Sequence, residues 1–256
     1  MYIKRALYIL LALTVCVMAS VSCSTKKNTA ASRFWQSFNT RYNVYFNGAQ
    51  AYIEGEKSKV QGHKDNYTEF LPVFLVGNEK SRTSGKSSFE TAITKCQKAI
   101  ALHSIKRRPV VSASKRKTPK MKAYLQRKEY NPFLKNAWLM MGRAQFEKGD
   151  FLEAAATFSY IARLYAAEPA VAAEANQWLA RCYTQEKWYY DAEDALKRMR
   201  RDTIQRATLR EADATQADLL LRQERFEEAL PYLERAARYA KGSFRQARLY
   251  YLLGQV

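Results

Sequence analysis

The sequence predicts an all-α fold in which helical hairpins stack into an α-solenoid behind an irregular N-terminal helical cap. Residues 136–165 indicate one helix, a tight turn at Gly149 and Asp150, and a second helix. Gly142 and Ala154 fall where two antiparallel helices would approach closely, and a Gly inside a helix costs roughly 1 kcal/mol without such a reason. The chain has only nine Gly and six Pro in 256 residues, too few for an all-β domain rich in turns.

The same hairpin recurs through the second half of the chain. Ala192 lies 38 residues after Ala154, and Ala229 lies 37 residues after Ala192. The tetratricopeptide repeat has a period of about 34 residues and packs apolar and small residues at fixed positions. Residues with this spacing are Trp138, Met141, Gly142, Ala154, Phe158 and Ile161, and Tyr250, Leu253 and Gly254 open a further unit. Residues 131–256 therefore resemble a right-handed, tetratricopeptide-like array of three repeats with the start of a fourth, and we expect the full protein to continue.

The N-terminal 22 residues indicate an export signal. A basic pair precedes an apolar run over residues 6–15, which is shorter than the roughly 20 residues of a membrane span, and small residues follow it. The small residues at 20–22 fit cleavage by an ordinary signal peptidase, and they also place Cys23 where a bacterial lipoprotein carries its lipid. Ser20 stands where such lipoproteins usually have Leu, so both alternatives stay open. We expect lipidation at Cys23 and a short polar tether over residues 23–32.

Residues 33–105 predict an aromatic-rich helical cap. A helix over residues 33–56 carries a stripe that we expect to be core, as is usual for aromatic residues at helical spacing. Its members are Phe34, Phe38, Tyr42, Tyr45, Phe46, Ala49, Tyr52 and Ile53. Asp65 or Asn66 can cap a second, shorter helix over residues 67–76. A third helix runs through Ile105, and its apolar stripe includes Phe89, Ala92, Ile93, Cys96, Ala99, Ile100 and Leu102.

Cysteine and histidine usage indicates neither a disulfide framework nor a metal site. Cys96 and Cys182 lie about two repeats apart, whereas a disulfide needs Cα atoms within about 7 Å, so we expect buried free thiols. The two histidines, His63 and His103, have no ligands at usable spacing. We therefore expect no metal and no cofactor.

Three segments of the cap resemble the opening of the SprE/PorW family of tetratricopeptide lipoproteins. They are RYNVYFNGAQAYIEG (41–55), HKDNYTEFLPVF (63–74) and LHSIKRRP (102–109). NAWLMMGRAQFEKGDFLEAAATFSYI (136–161) also resembles the first well-formed repeat of that family, whose members are longer than this chain. The family belongs to the type IX secretion and gliding-motility machinery of the Bacteroidota. The resemblance implies a non-catalytic scaffold, lipid-anchored in the outer membrane and facing the periplasm, that links periplasmic ring components to the outer-membrane translocon.

Residues 106–130 form a basic insertion between the cap and the array. Pro109 and Pro119 favour a loop or a short extended piece over a helix. Residues 106–128 contain no Asp or Glu in a chain of formal net charge +19. The candidate docking residues are Lys106, Arg107, Arg108, Lys115, Arg116, Lys117, Lys120 and Lys122. Three interpretations compete: a solvated connection, salt-sensitive docking to an acidic protein or to anionic headgroups, and nucleic-acid binding. The last lacks a binding motif, and we expect no nucleic-acid partner.

The first helix of each repeat is expected to line a concave groove in which partner proteins bind. The candidate partner-binding residues on these helices are Arg143, Phe146, Glu147, Gln177, Arg181, Gln185, Asp218 and Arg222. Arg143 and Arg181 occupy equivalent positions in successive repeats. Aligned guanidinium groups can bind carboxylates of a partner, or they can pair with nearby Glu as on many exposed helix faces.

No arrangement of residues in the sequence suggests catalysis. Neither a Ser/His/Asp or Cys/His set nor a Gly-rich phosphate loop is evident, so we expect no enzymatic activity and no small-molecule substrate. The alternative to the secretion scaffold is a generic exported tetratricopeptide lipoprotein for outer-membrane protein assembly or polysaccharide handling. An enzyme would need a catalytic domain beyond residue 256, and a cytosolic nucleic-acid binder would need residues 1–22 to be something other than a signal.

Overall fold

A computed structural model of the chain describes residues 25, 27–116, 118–200 and 205–256. These ranges are helical, contain no strand, and pack helix against helix in sequence order, which confirms the predicted all-α, solenoid-like fold. The predicted signal peptide, Cys23 and Lys117 lie outside the described residues.

The cap begins with a long continuous helix. It consists of α1 (Ala30–Asn39), a π-helical segment (Thr40–Tyr45) and α2 (Phe46–Gly62). The prediction that its aromatic stripe is core is wrong for Phe34, Phe38, Tyr42, Phe46 and Ile53, whose side chains are exposed. Tyr45 and Tyr52 do point inward, where their rings pack edge-on against Phe133 and Phe89.

The residues on the inward face of this helix explain why the aromatic stripe is exposed. A buried row follows strict four-residue spacing: Ser32, Gln36, Thr40, Val44 and Gly48. Four residues overshoot one turn of an α-helix by about 40°, but the wider π-helical turn absorbs that drift. The four-residue row therefore stays on the protein, and the row offset by two residues, which includes most of the exposed aromatics, points away from it.

Residues 63–78 are irregular, so the predicted helix over 67–76 is wrong. The chain then forms α3 (Glu79–Thr83) and α4 (Lys86–His103), which packs against α2 and the first array helix. α4 buries Phe89, Ala92, Ile93, Cys96 and Ala99 as predicted, whereas Leu102 is exposed. The close approach of α2 and α4 depends on Gly55, where a Cβ atom would lie 2.7 Å from the Phe89 ring.

The basic insertion contains two short helices, α5 (Ala113–Arg116) and α6 (Pro119–Leu125), where we predicted a loop. Pro119 is the first residue of α6, a position at which the missing N–H costs nothing, and the Thr118 hydroxyl accepts from the Met121 amide at 3.3 Å. After α6, the buried carboxylate of Glu129 accepts the amides of Ile105 and Asn131 at 2.9 and 2.8 Å. This carboxylate fixes both ends of the insertion to each other.

The array continues the same layering with hairpins of nearly equal length. They are α7 (Leu134–Lys148) with α8 (Phe151–Leu164), α9 (Pro169–Gln185) with α10 (Tyr189–Met199), and α11 (Arg206–Arg222) with α12 (Phe226–Tyr239), followed by α13 (Ser243–Gln255). Ala154, Ala192 and Ala229 are fully buried between paired helices. Cys96 and Cys182 are buried free thiols, as predicted.

Candidate functional site

One face of the array is lined by side chains of α7, α9, α11 and α13, the first helices of the successive units. We call this face the groove. The predicted partner-binding residues all lie on α7, α9 and α11. The structure brings these residues together, but it places other parts of the same chain against them.

Residues 63–78, which we call the strap, leave α2 and reach across to α13. Near the beginning of the strap the Asp65 carboxylate accepts from Arg248 Nε at 2.9 and 3.0 Å. Both side chains are almost fully buried, at 4% and 6% exposure. Gln255 makes two further bonds, accepting from the Leu71 amide at 3.0 Å and donating to the Glu69 carbonyl at 2.8 Å. The strap is thus held to residues more than 180 positions away in the sequence.

The strap also supplies apolar side chains to the array. Leu71 and Val73 are buried in the hydrophobic cluster formed by α11, α12 and α13. Phe74 lies on α9 and α7: the Arg181 guanidinium is 4.0 Å from its ring centroid, and Phe146 meets it edge-on at 6.5 Å. Arg181 lies 4.2 Å from the Trp178 ring as well. The strap therefore covers the groove and contributes to its core.

A ladder of ion pairs runs along the groove beneath the strap. Arg143 on α7 pairs with Glu174 on α9, and Arg181 on α9 pairs with Glu211 on α11 at 3.1 Å. Arg245 on α13 then binds both oxygens of Glu211, at 2.9 and 3.0 Å. Partial burial alone raises the pKa of Glu211, but the charges and hydrogen bonds of Arg181 and Arg245 outweigh it and lower the pKa to about 2. The repeated arginines therefore join successive first helices.

Amide side chains connect α9 to α11 in the same way one turn before and one turn after Arg181. Gln177 donates to the Thr215 hydroxyl at 2.7 Å, and Gln185 donates to Asp218 at 3.0 Å. Arg222 donates to both Asp218 and Gln185, at 3.2 and 2.9 Å. Burial raises the pKa of Asp218 although Arg222 opposes the shift. Each of these side chains already has its partner inside the chain.

The expectation of an open groove is consequently wrong for four of the predicted residues. Phe146, Gln177, Arg181 and Asp218 are at most 3% exposed. Of the others, Glu147 pairs with the buried Lys59 of α2 at 2.9 Å, while Arg143, Gln185 and Arg222 are partly exposed and make the contacts described above. The predicted residues lie close together, and they contact the cap, the strap and the neighbouring repeats of the same chain.

A cavity of about 540 Å³ remains between α2, the strap and the first helices. Its walls carry Arg143, Arg181, Arg245 and Arg248 together with their partner carboxylates Glu174 and Glu211. Arg181 and Arg245 share Glu211, and Arg248 pairs with Asp65 of the strap, so these six wall residues carry more positive than negative charge. Among the described residues, no group of His, Cys, Asp and Glu could hold a metal ion.

The predicted docking residues of the basic insertion are on the surface. Lys106, Arg107, Arg108, Lys115, Arg116, Lys120 and Lys122 are all exposed. The insertion lies against the beginning of α1, where Asn28 donates to the Arg107 carbonyl at 2.6 Å. No described helix is long and apolar enough to cross a membrane.

Sequence reasoning missed the strap and its anchors, Asp65, Phe74, Arg248 and Gln255. Pro72 and the turn formers around it were a signal against a helix over 67–76. The partners of the strap carried no such signal, because a lone Arg or Gln on a helix reveals nothing about a contact made across the whole array.

No model of a known protein family matches the chain, and a comparison with curated proteins also finds no match. The fold and the strapped groove are therefore the observations from which a function can be argued.

Proposed function

We propose that the protein is a non-catalytic scaffold lipoprotein of the type IX secretion and gliding-motility machinery. In this role it is exported, carries a lipid at Cys23 and faces the periplasm from the outer membrane. It links periplasmic ring components to the outer-membrane translocon through protein–protein contacts.

The proposal rests on where the three cap segments that resemble the SprE/PorW family lie in the fold. Residues 41–55 form the π segment and the first half of α2, and residues 63–74 are most of the strap. Residues 102–109 lead from α4 into the basic insertion, where Glu129 holds Ile105. A generic repeat array needs none of these segments, since its hairpins bury their apolar faces against one another. The resemblance thus coincides with the features that distinguish this solenoid from a plain one.

Because the strap fills the groove, we expect partners to bind the second helices of the hairpins instead. Leu152 on α8 and Tyr190 on α10 are 38 residues apart, at equivalent positions of successive repeats, and are 55% and 84% exposed. Exposed apolar side chains repeated at one edge of a solenoid suit an extended protein contact.

Site-specific photocrosslinking in the native host tests this proposal. A photoreactive residue at Tyr190 is expected to capture ring or translocon subunits, whereas one at the buried Phe146, whose ring meets Phe74 of the strap, is not. The Cys23→Ala variant should reduce the captured amount, because the lipid would concentrate the protein at the outer membrane.

The outcomes separate the alternatives. Capture of envelope proteins for outer-membrane assembly or polysaccharide handling would favour the generic lipoprotein instead. Capture of ring subunits from Phe146 and not from Tyr190 would show that partners displace the strap. The absence of specific capture at both positions would contradict a scaffold role for these repeats.

A further inference from the structure

α1 is amphipathic in the opposite sense to a helix packed on a soluble core. In α1 and the π-helical segment that continues it, the inward row is polar and buried, namely Ser32, Gln36 and Thr40. On the outward row, which we call the aromatic row of α1, Phe34 and Tyr42 are 71% and 58% exposed. Phe38, also exposed, joins the row, with ring centroids 6.2 Å from Phe34 and 4.8 Å from Tyr42. Aromatic rings that touch one another and face outward form an exposed apolar surface, beside which the Arg41 guanidinium lies 5.1 Å from the Tyr42 ring centroid.

The surface next to these rings carries positive charge. The basic insertion abuts the start of α1 through the Asn28 contact, and the Arg33 guanidinium lies 5.9 Å from the Tyr124 ring centroid of α6. The first acidic residue of the chain is Glu54, and residues 106–128 contain none. The exposed cations of residues 27–41 and 106–128 include Lys27, Arg41, Lys106, Arg108, Lys115, Lys120 and Lys122.

We propose that the aromatic row of α1 and the basic insertion together form a surface that lies on an anionic phospholipid bilayer. Aromatic side chains on one face of a helix insert at the boundary between headgroups and acyl chains, and basic segments are attracted to anionic headgroups within about a Debye length. A single occupant of this kind accounts for both the outward aromatics and the missing carboxylates.

The ring geometry favours a bilayer over a nucleic acid. Proteins that bind single strands offer aromatic faces on which bases stack. Here the rings of Phe34 and Phe38 are inclined by only 27° and stacked on each other. One face of each ring is therefore directed at the other ring and not at solvent.

The position of α1 in the chain supports the same conclusion. Residues 24–29 separate Cys23 from α1, and six extended residues span at most about 20 Å. The lipid of the proposed function would thus hold α1 beside the membrane. This support rests on that lipidation, whereas the surface itself does not depend on it.

Quenching of tryptophan fluorescence by brominated lipids tests the aromatic row. The full-length chain is mixed with vesicles of phosphatidylcholine and phosphatidylglycerol that carry bromine on their acyl chains. Trp35, which is 43% exposed on α1, should be quenched, so the Trp35→Phe variant should lose the quenched fraction. Trp188→Phe is the matched control, since Trp188 is 47% exposed in the array and should remain unquenched.

Charge reversal tests the basic insertion in the same vesicles. Replacing Lys115, Lys120 and Lys122 by Glu should lower the partition coefficient by at least about 100-fold, since it removes three attractions to the anionic surface and replaces them with repulsions. The same exchange at the exposed Lys80, Lys197 and Lys241 is the control for total charge. Every variant keeps residues 1–24, so the contribution of the apolar run is constant, and circular dichroism verifies the helical fold.

Two results would overturn the proposal. One is equal quenching loss in Trp35→Phe and Trp188→Phe, or no quenching at all, which would leave the aromatic row to a protein partner. The other is an equal effect of the two charge-reversal variants. The assay contains no secretion subunits, so its failure is distinct from a failure of the proposed scaffold role.

Discussion

Gly142 shows how one residue sets the distance between two helices. A Cβ atom at this position would lie 2.7 Å from the ring of Phe158, which is itself fully buried. The helix-propensity gain of Gly→Ala is about 1 kcal/mol, whereas overpacking a rigid core typically costs 1–3 kcal/mol, so the clash should win.

We therefore expect Gly142→Ala to lower the free energy of unfolding by roughly 1–2 kcal/mol in urea titrations. Gly254→Ala is the matched control, because no atom lies within 4 Å of its added Cβ atom. That variant should be neutral or more stable by up to about 1 kcal/mol. Equal effects in the two variants would mean that the Phe158 ring moves aside at little cost.

The turns between paired helices repeat one backbone motif with three different residues. Gly149, Lys187 and Glu224 all have positive φ, of 93°, 62° and 59°. In each turn this residue and the next one donate to carbonyls near the end of the first helix, as in a Schellman motif. The left-handed conformation costs a residue with a Cβ atom about 1–2 kcal/mol, which Gly avoids.

Replacing Lys187 by Gly should consequently raise the free energy of unfolding, by about 0.5–1 kcal/mol once the greater freedom of Gly in the unfolded chain is subtracted. Thermal and urea unfolding would measure the change. The reciprocal variant Gly149→Lys should be destabilised, since a Cβ atom there would lie 2.9 Å from Arg82 as well as being strained. A loss of stability in Lys187→Gly would contradict this account.

At the scale of elements, a buried ion pair between Asp65 and Arg248 ties the strap to α13. Burial alone would raise the pKa of Asp65, but hydrogen bonds from Arg248 and His63 lower it below its usual value. A carboxyl whose folded pKa is lowered stabilises the fold above its unfolded pKa of about 4, and this contribution is lost as the pH falls through the folded value.

We expect Asp65→Ala to weaken the closed strap by roughly 3 kcal/mol, because it leaves the buried Arg248 without a carboxylate. Hydrogen exchange of the Leu71 amide, which bonds to Gln255, should accelerate in this variant. In the unmodified chain the same amide should exchange faster below about pH 4 after correction for intrinsic rates, and the variant should lose this pH dependence. Asp191→Ala, at an exposed carboxylate, is the control and should behave like the original chain.

For the whole molecule, the strap joins the cap to the last helix, so that the two ends of the described fold should open together. Cys96 lies in the cap and Cys182 in the second repeat, and both are fully buried. Burial raises the pKa of the Cys96 thiol to about 12 and raises that of Cys182 as well. Since the thiolate is the reactive form, both cysteines should be inert in the folded chain.

In a Cys16→Ser/Cys23→Ser background, a disulfide-exchange reagent should label the native chain on the order of 10³-fold more slowly than the unfolded chain. At low denaturant concentration the two thiols should then react at the same rate, which mass spectrometry of the labelled peptides would measure. Faster labelling of Cys96 would show that the cap opens without the array, against the cooperative role assigned to the strap.

Much of the array could be predicted from the sequence, because the information needed was local. Gly142, Ala154, Ala192 and Ala229 mark helix contacts made within one hairpin, and the hairpin recurs with a nearly constant period. The groove residues were also placed correctly on the first helices, since a helical register is set by residues a few positions apart. The local sequence could not indicate which residues these side chains would contact.

The sequence by itself determined the fold class and the buried cysteines. Only the tertiary structure decided that the strap fills the groove and that the aromatics of α1 face outward. The strap depends on pairs such as Asp65 and Arg248, which lie 183 residues apart and leave no periodic pattern. The direction of α1 depends on a π-helical turn and on polar partners for its inner row, including the bonds from Asn131 to Thr40 and between His103 and Gln36. Hydrophobic periodicity indicates which residues share a face, and the packing of the remaining chain determines which way that face is turned.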